Sequence, residues 1–138
     1  MTKTISTAGV SAEVQSQYWI VGAMFGGKDD CLDDFLTRGY WYCWDPKINP
    51  EVPPSVADLF RQIKVGDRLA VKKMLGQGSS SMEVRALGIV TDIDLNEWRV
   101  YVKWLVSKME REVPIKGCMG SIHGPFAQSD WRASVFQI

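Results

Sequence analysis

The chain has 138 residues, 46% hydrophobic and 23% charged, the composition of one globular domain long enough to bury a core without disulfides or a structural metal. Sixteen basic residues balance sixteen acidic ones, which argues against a protein that holds nucleic acid through phosphate charge alone. No apolar run reaches the length of a membrane span, and three widely spaced cysteines, Cys31, Cys43 and Cys118, exclude a disulfide framework and point to a reducing, cytoplasmic setting.

The balance is uneven along the chain. Residues 1–60 carry 4 basic and 8 acidic residues, and residues 61–138 carry 12 basic and 8 acidic. Any contact with nucleic acid must therefore be local or rest on a base pocket.

Residues 1–17 are polar and rich in small residues, and read as a loose leader without the basic-then-apolar order of a signal peptide. The segment 18–138 reads as one domain. YWIVGA, 18–23, is a buried first strand. A Gly-Gly turn at 26–27 leads to Asp29 and Asp30 as N-caps of a helix over about 30–38, with Leu32, Phe35 and Leu36 at helical spacing and Gly39 at its stop. GYWYCWDP, 39–46, opens an aromatic, proline-rich loop running to Pro54. Ser55 is the expected cap of a second helix with Val56, Leu59, Phe60 and Ile63 on one face.

After the turn at Gly66, RLAVKKM is a strand. GQGSSS, 76–81, is flexible by composition. EVRALGIVTDI is a strand bent at Gly88. In NEWRVYVKWLV, Trp98, Val100, Val102 and Trp104 alternate with Arg99, Tyr101 and Lys103, the pattern of a half-buried strand. REVPIKG is a short strand or sheet edge, because Pro114 lacks a ladder donor. A turn at Gly124-Pro125 precedes a terminal element with Trp131, Val135 and Phe136. The expected fold is α+β: a small mixed sheet curled into a barrel, with two or three short helices.

Trp19 within YWIVGA, the GG-D-D-C turn at 26–31, GYW at 39–41, KVGDRLAVK at 64–72, ALGIV at 86–90, RVYVKW at 99–104 and SIH at 121–123 occur in a recognisable order. Together they resemble the EVE-like, PUA-like domains found at the N-termini of McrB-type restriction proteins. The resemblance spans about 18–138. It implies a PUA-like barrel that reads a flipped or single-stranded, modified base in DNA or RNA, with phage defence as the setting. The implied pocket residues are Gly22, Ala23, Trp41, Trp44 and Lys72. The family's AAA-type motor is not within these residues, so such a motor or a nuclease is the implied partner.

Base reading needs a flat π-face and polar groups at the base edge. Tyr40, Trp41, Tyr42 and Trp44 offer the rings, although alternation sends Trp41 to the face opposite Tyr40 and Tyr42, and packing in the core explains them equally. Trp19, Trp98 and Trp104 are expected in the core. Lys72, Lys73, Arg85, Arg99 and Lys103 form either a track for the nucleic-acid backbone, with Lys73 and Arg85 as the expected contacts, or a solvated sheet face. Cys118 and His123 lie close in sequence, but no C-x-x-C pair, orienting carboxylate, P-loop or deaminase zinc signature accompanies them. No catalytic residue, metal or cofactor is therefore expected, and the chain reads as a binding module and not an enzyme. The alternative is a protein-interaction or small-ligand module with no nucleic-acid role, which the zero net charge and the aromatic loop also suit.

Overall fold

The computed structural model describes residues 16–25, 29–76, 78–118, 120–126 and 134–137. The first strand, β1 (Tyr18–Gly22), is followed by a small hairpin of β2 (Met24–Phe25) and β3 (Asp29–Asp30). Helix α1 (Leu32–Arg38) starts two residues later than its acidic N-terminus suggests; Asp30 Oδ1 accepts the Leu32 N–H at 3.1 Å. It stops at Gly39, whose φ of 71° is left-handed and whose N–H donates to the Phe35 carbonyl. The two-residue strand β4 (Tyr40–Trp41) leads into the prolyl loop.

Helix α2 (Pro54–Phe60) is not capped by Ser55. The helix begins one residue earlier, because Pro54 is preset for the first helical position and Pro53 occupies the cap. Then come β5 (Arg68–Met74), the long β6 (Ser81–Asp94), β7 (Arg99–Val106), β8 (Arg111–Pro114) and β9 (Ile122–Phe126); residues 134–136 are helical. The chain is thus α+β with a mixed, seven-stranded sheet ordered β4-β7-β6-β5-β1-β9, and β8 lies against the first part of β6. The pair β1–β5 is parallel, and the other strand pairs among the described residues are antiparallel.

The expected closed barrel does not form. Strands β4 and β9 end the sheet with one neighbour each, and β4 is too short to supply a closing ladder. The sheet bends instead at register shifts, one of them between Leu87 and Gly88. A Cβ at Gly88 would strike Val102 Cγ1 and stand 2.9 Å from the Trp104 ring, so glycine lets β6 and β7 pass closely there.

Strands β1 and β5 are buried on both faces. Trp19, Val21, Leu69 and Val71 join Phe35, Trp41 and Phe60 in one core; Ile20 and Ala70 join Met82, Val84, Leu87, Cys118 and Val135 in another. Period-two alternation between two apolar faces explains why these strands read as unbroken apolar runs. Trp98 lies just outside β7, in a turn with φ 55°, half-buried against Phe60. Gly124-Pro125 is a cis peptide bond inside β9 and not a turn between elements.

The leader reading falls on residues 1–15, outside the described residues, as do Gly26-Gly27 and Trp131. Ser16 and Gln17 are tied down: Ser16 Oγ donates to the Gly66 carbonyl, and the Gln17 N–H donates to Asp67 Oδ1. No helix among the described residues is long and apolar enough to cross a membrane.

Candidate functional site

The parallel strands β1 and β5 stop together, with Gly22 opposite Lys72. Where parallel strands end at their carboxyl edges and the chain departs, a crevice is left. Here it is a cleft of about 240 Å³, lined by Gly22, Ala23 and Met24, by Lys72, Lys73 and Met74, and by Gly120 and Ser121. The small residues at 22, 23 and 120 leave the room.

The walls are held by backbone bonds. The Gly22 N–H donates to the Ser121 carbonyl at 3.0 Å, and the Ala23 carbonyl accepts the Cys31 N–H at 2.8 Å. The Gly120 N–H donates to His123 Nε2 at 2.7 Å. An accepting Nε2 makes the ring neutral, and burial, helped by the nearby Lys72 charge, holds the His123 pKa below its ordinary value.

Lys72 is the unusual member. Only 5% of it is exposed. The pairing of β5 with β6 shifts register between Val71 and Lys72, where Arg85 is the extra residue on β6, while Lys72 keeps the alternation of β5 and shares a face with Ala70. Among the described residues its Nζ touches one polar partner, the Met74 thioether at 3.8 Å, and no carboxylate pairs with it. Burial lowers its pKa, while the neighbouring Cys118 thiol acts weakly the other way. Cys118 is itself buried, and its pKa is pushed up. Lys73, next in sequence, is exposed.

Of the residues implied by the sequence, Gly22, Ala23, Lys72 and Lys73 meet in the cleft. Trp41 does not line it. Its ring is 0% exposed and packed in the core, where its N–H donates to the Gly22 carbonyl at 2.9 Å. The indole supports the cleft wall from behind; buried so completely, it has no free face for a base to stack on. Trp44 lies in the prolyl loop, its N–H on the Asn49 carbonyl, and is likewise not part of the lining.

Arg85 pairs with Asp30 at 2.7 Å and reaches Glu83 at 4.0 Å. Burial alone would raise the Asp30 pKa, but Arg85, the Leu32 N–H and Lys73 together hold it below the ordinary carboxylate value. Arg85 thus anchors the β2–β3 hairpin, whose Met24 forms one wall. Arg99 is also occupied: its guanidinium lies 3.6 Å from the Tyr42 ring centroid and pairs with Asp45. Two arginines of the expected backbone track, Arg85 and Arg99, are thus each paired with a carboxylate.

Sequence reasoning missed Met24 and Met74 as lining residues. A signal was present: a methionine two residues before a glycine stands at or just past the end of each parallel strand, MFG at 24–26 and MLG at 74–76. Thioethers are polarizable and suit the edge and face of a planar ring. Among the described residues the cleft thus offers soft apolar walls, a hydroxyl at Ser121 and an under-partnered amine, with no carboxylate in its lining. That set accepts one flat group carrying a hydrogen-bond acceptor. Among the described residues no three His, Cys, Asp or Glu side chains gather as metal ligands. No protein-family profile matches the chain, and no curated protein matches it.

Proposed function

We propose that the cleft recognises one planar base of a nucleic-acid strand, flipped or single-stranded and bearing a modification, in DNA or RNA. The observation that carries this reading is Lys72, a buried amine facing a cleft with a thioether as its partner. A ring or exocyclic oxygen of a base would supply the strong acceptor that Lys72 lacks among the described residues. Met24 and Met74 replace the aromatic stacking walls expected from the sequence. Lys73 lies at the wall, exposed, where a backbone phosphate would approach.

The cleft is smaller than the roughly 300 Å³ at which drug-sized pockets begin, so it suits a single ring system and not a larger cofactor. With zero net charge the protein gains little from phosphates at large. Extracting a base from a duplex costs a few kcal/mol, which favours strands already open or weakened by modification. This function is binding without catalysis, so action on the bound strand falls to a partner, an AAA-type motor or a nuclease.

Fluorescence anisotropy with labelled single-stranded and duplex DNA and RNA, each with and without a modified base, tests the reading. Tighter binding to a modified strand is expected, with at least a tenfold loss in Lys72→Met, about 1.4 kcal/mol, and no loss in Trp44→Ala. Equal affinity for all strands, unchanged in Lys72→Met, rejects it. Free nucleosides binding as tightly as strands would instead assign the cleft to a small-ligand sensor.

A further inference from the structure

Lysine amines are normally poor nucleophiles because they are protonated and solvated. A lysine placed in an apolar site, away from carboxylates, escapes both conditions. Lys72 meets that description on geometry. It is almost wholly buried yet lines an open cleft, and among the described residues it forms no ion pair, whereas Arg38, Arg85 and Arg99 each pair with a carboxylate. Its thioether contact is a weak acceptor that does not hold a proton on the nitrogen.

We propose that Lys72 is a carbonyl-reactive site, at which its amine condenses with an aldehyde carried on a small planar group seated in the cleft. This inference rests on the cleft's geometry and not on the ligand being a nucleic acid; a formyl-bearing base is the form it takes if the base-reading proposal also holds.

In the reaction the neutral Lys72 nitrogen attacks the aldehyde carbon. A C–N bond forms and the carbonyl electron pair moves to oxygen. The nitrogen passes a proton to that oxygen, giving a carbinolamine. Loss of water then leaves a C=N bond, so one amine and one aldehyde yield one imine and one water, with no oxidant or reductant. Burial of the amine keeps its pKa below the ordinary lysine value and raises the neutral fraction near neutrality. Ser121 supplies a hydroxyl at the rim for the departing water, and the Met24 and Met74 walls limit the room to a flat aldehyde. Cys118, the neighbouring thiol, is buried with a raised pKa and so competes poorly.

Lys73 is the internal control: adjacent in sequence, exposed, and within electrostatic reach of Asp30. The intact wild-type protein is treated at about pH 7 with 4-pyridinecarboxaldehyde and cyanoborohydride, which reduces the imine to a stable secondary amine, and the modified lysines are mapped by mass spectrometry. Lys72 is expected to be labelled at least fivefold faster than Lys73, and the fast phase to vanish in a folded Lys72→Arg protein. Labelling that follows exposure, with Lys73 and the other surface lysines modified and Lys72 spared, overturns the proposal. Because the probe is a free aldehyde, its outcome is independent of oligonucleotide binding: either reading fails without the other.

Discussion

A lysine that is buried opposite a glycine and, among the described residues, has a sulfur as its one polar partner is retained at a cost in stability. Removing the charge while keeping the stem should therefore stabilise the fold as it weakens binding. Lys72→Met is expected to unfold at a higher urea midpoint than wild type, by about 1 kcal/mol. A lower midpoint would mean that the amine has a structural partner. The pH dependence has a definite sign. Burial depresses the folded pKa of Lys72 below the ordinary 10.5. Between the two values the unfolded chain holds a proton that the folded chain has shed, so stability rises with pH across that window. Cys43 opposes it: burial pushes its thiol from 9.0 up to about 11, so the unfolded thiol ionises first and stability falls over that range. Subtracting the Lys72→Met stability curve from that of wild type isolates the lysine's rising contribution.

Asp67 presents the reverse case, a buried carboxylate fully used. Its Oδ2 accepts the Trp19 Nε1–H and the Lys64 N–H, both at 2.9 Å, and its Oδ1 accepts the Gln17 N–H at 3.2 Å. Asp67→Asn replaces one acceptor by a donor facing donors and should lower stability by about 1.5–3 kcal/mol in urea unfolding. The sequence marked Asp67 only as part of a turn. Likewise RLAVKKM shows two lysines that alternation sends to opposite faces, but not which one goes inward. That depends on which face of β5 the rest of the chain covers most deeply, a property of the packing that no single strand carries.

At the scale of elements, most strands and both helices are legible from alternation and helical spacing, while boundaries and roles are less so. Pro54 starts α2 where Ser55 was expected to, since a fixed φ competes with a side-chain cap. The aromatic run at 40–44 is the plainest signal in the chain, and three of its rings pack inward. Trp41 fills the core, and Tyr40 and Tyr42 pack edge-on against Phe35. A large ring gains so much by burial that its presence in a sequence points first to a core. The Gly88 bend was legible because a glycine inside an apolar strand marks a bulge or a neighbour's close approach. Gly88→Ala should cost about 1–3 kcal/mol, because the Lys103 carbonyl, 3.0 Å from the added Cβ, is backbone and cannot turn aside. The β2–β3 hairpin depends on Arg85 bridging to Asp30. Arg85→Ala should speed amide exchange at Met24 and weaken binding several-fold with little change in unfolding midpoint; unchanged exchange would show that the hairpin stands without the bridge.

At the scale of the whole molecule, an open sheet with a core on each face sets the parallel pair β1–β5 beside the β9 edge, and the cleft lies where that pair ends. The burial of YWIVGA was legible, whereas the second core and the lack of barrel closure were not, because both depend on how distant strands meet. Electrostatics also belong to this scale. With no net charge and two arginines held by carboxylates, the affinity for a strand should fall only slightly with salt, with a log–log slope near −1 to −2, reflecting Lys73 and at most one further cation. A slope of −5 or steeper would place binding on an extended basic surface elsewhere.

The most direct measurement is a map of backbone amide NMR shifts during titration with a short single strand carrying one modified base. The account predicts the largest changes at Gly22, Ala23, Lys72, Gly120 and Ser121, with the prolyl loop around Trp44 unmoved. Saturable changes centred on that loop, with the cleft silent, would contradict it.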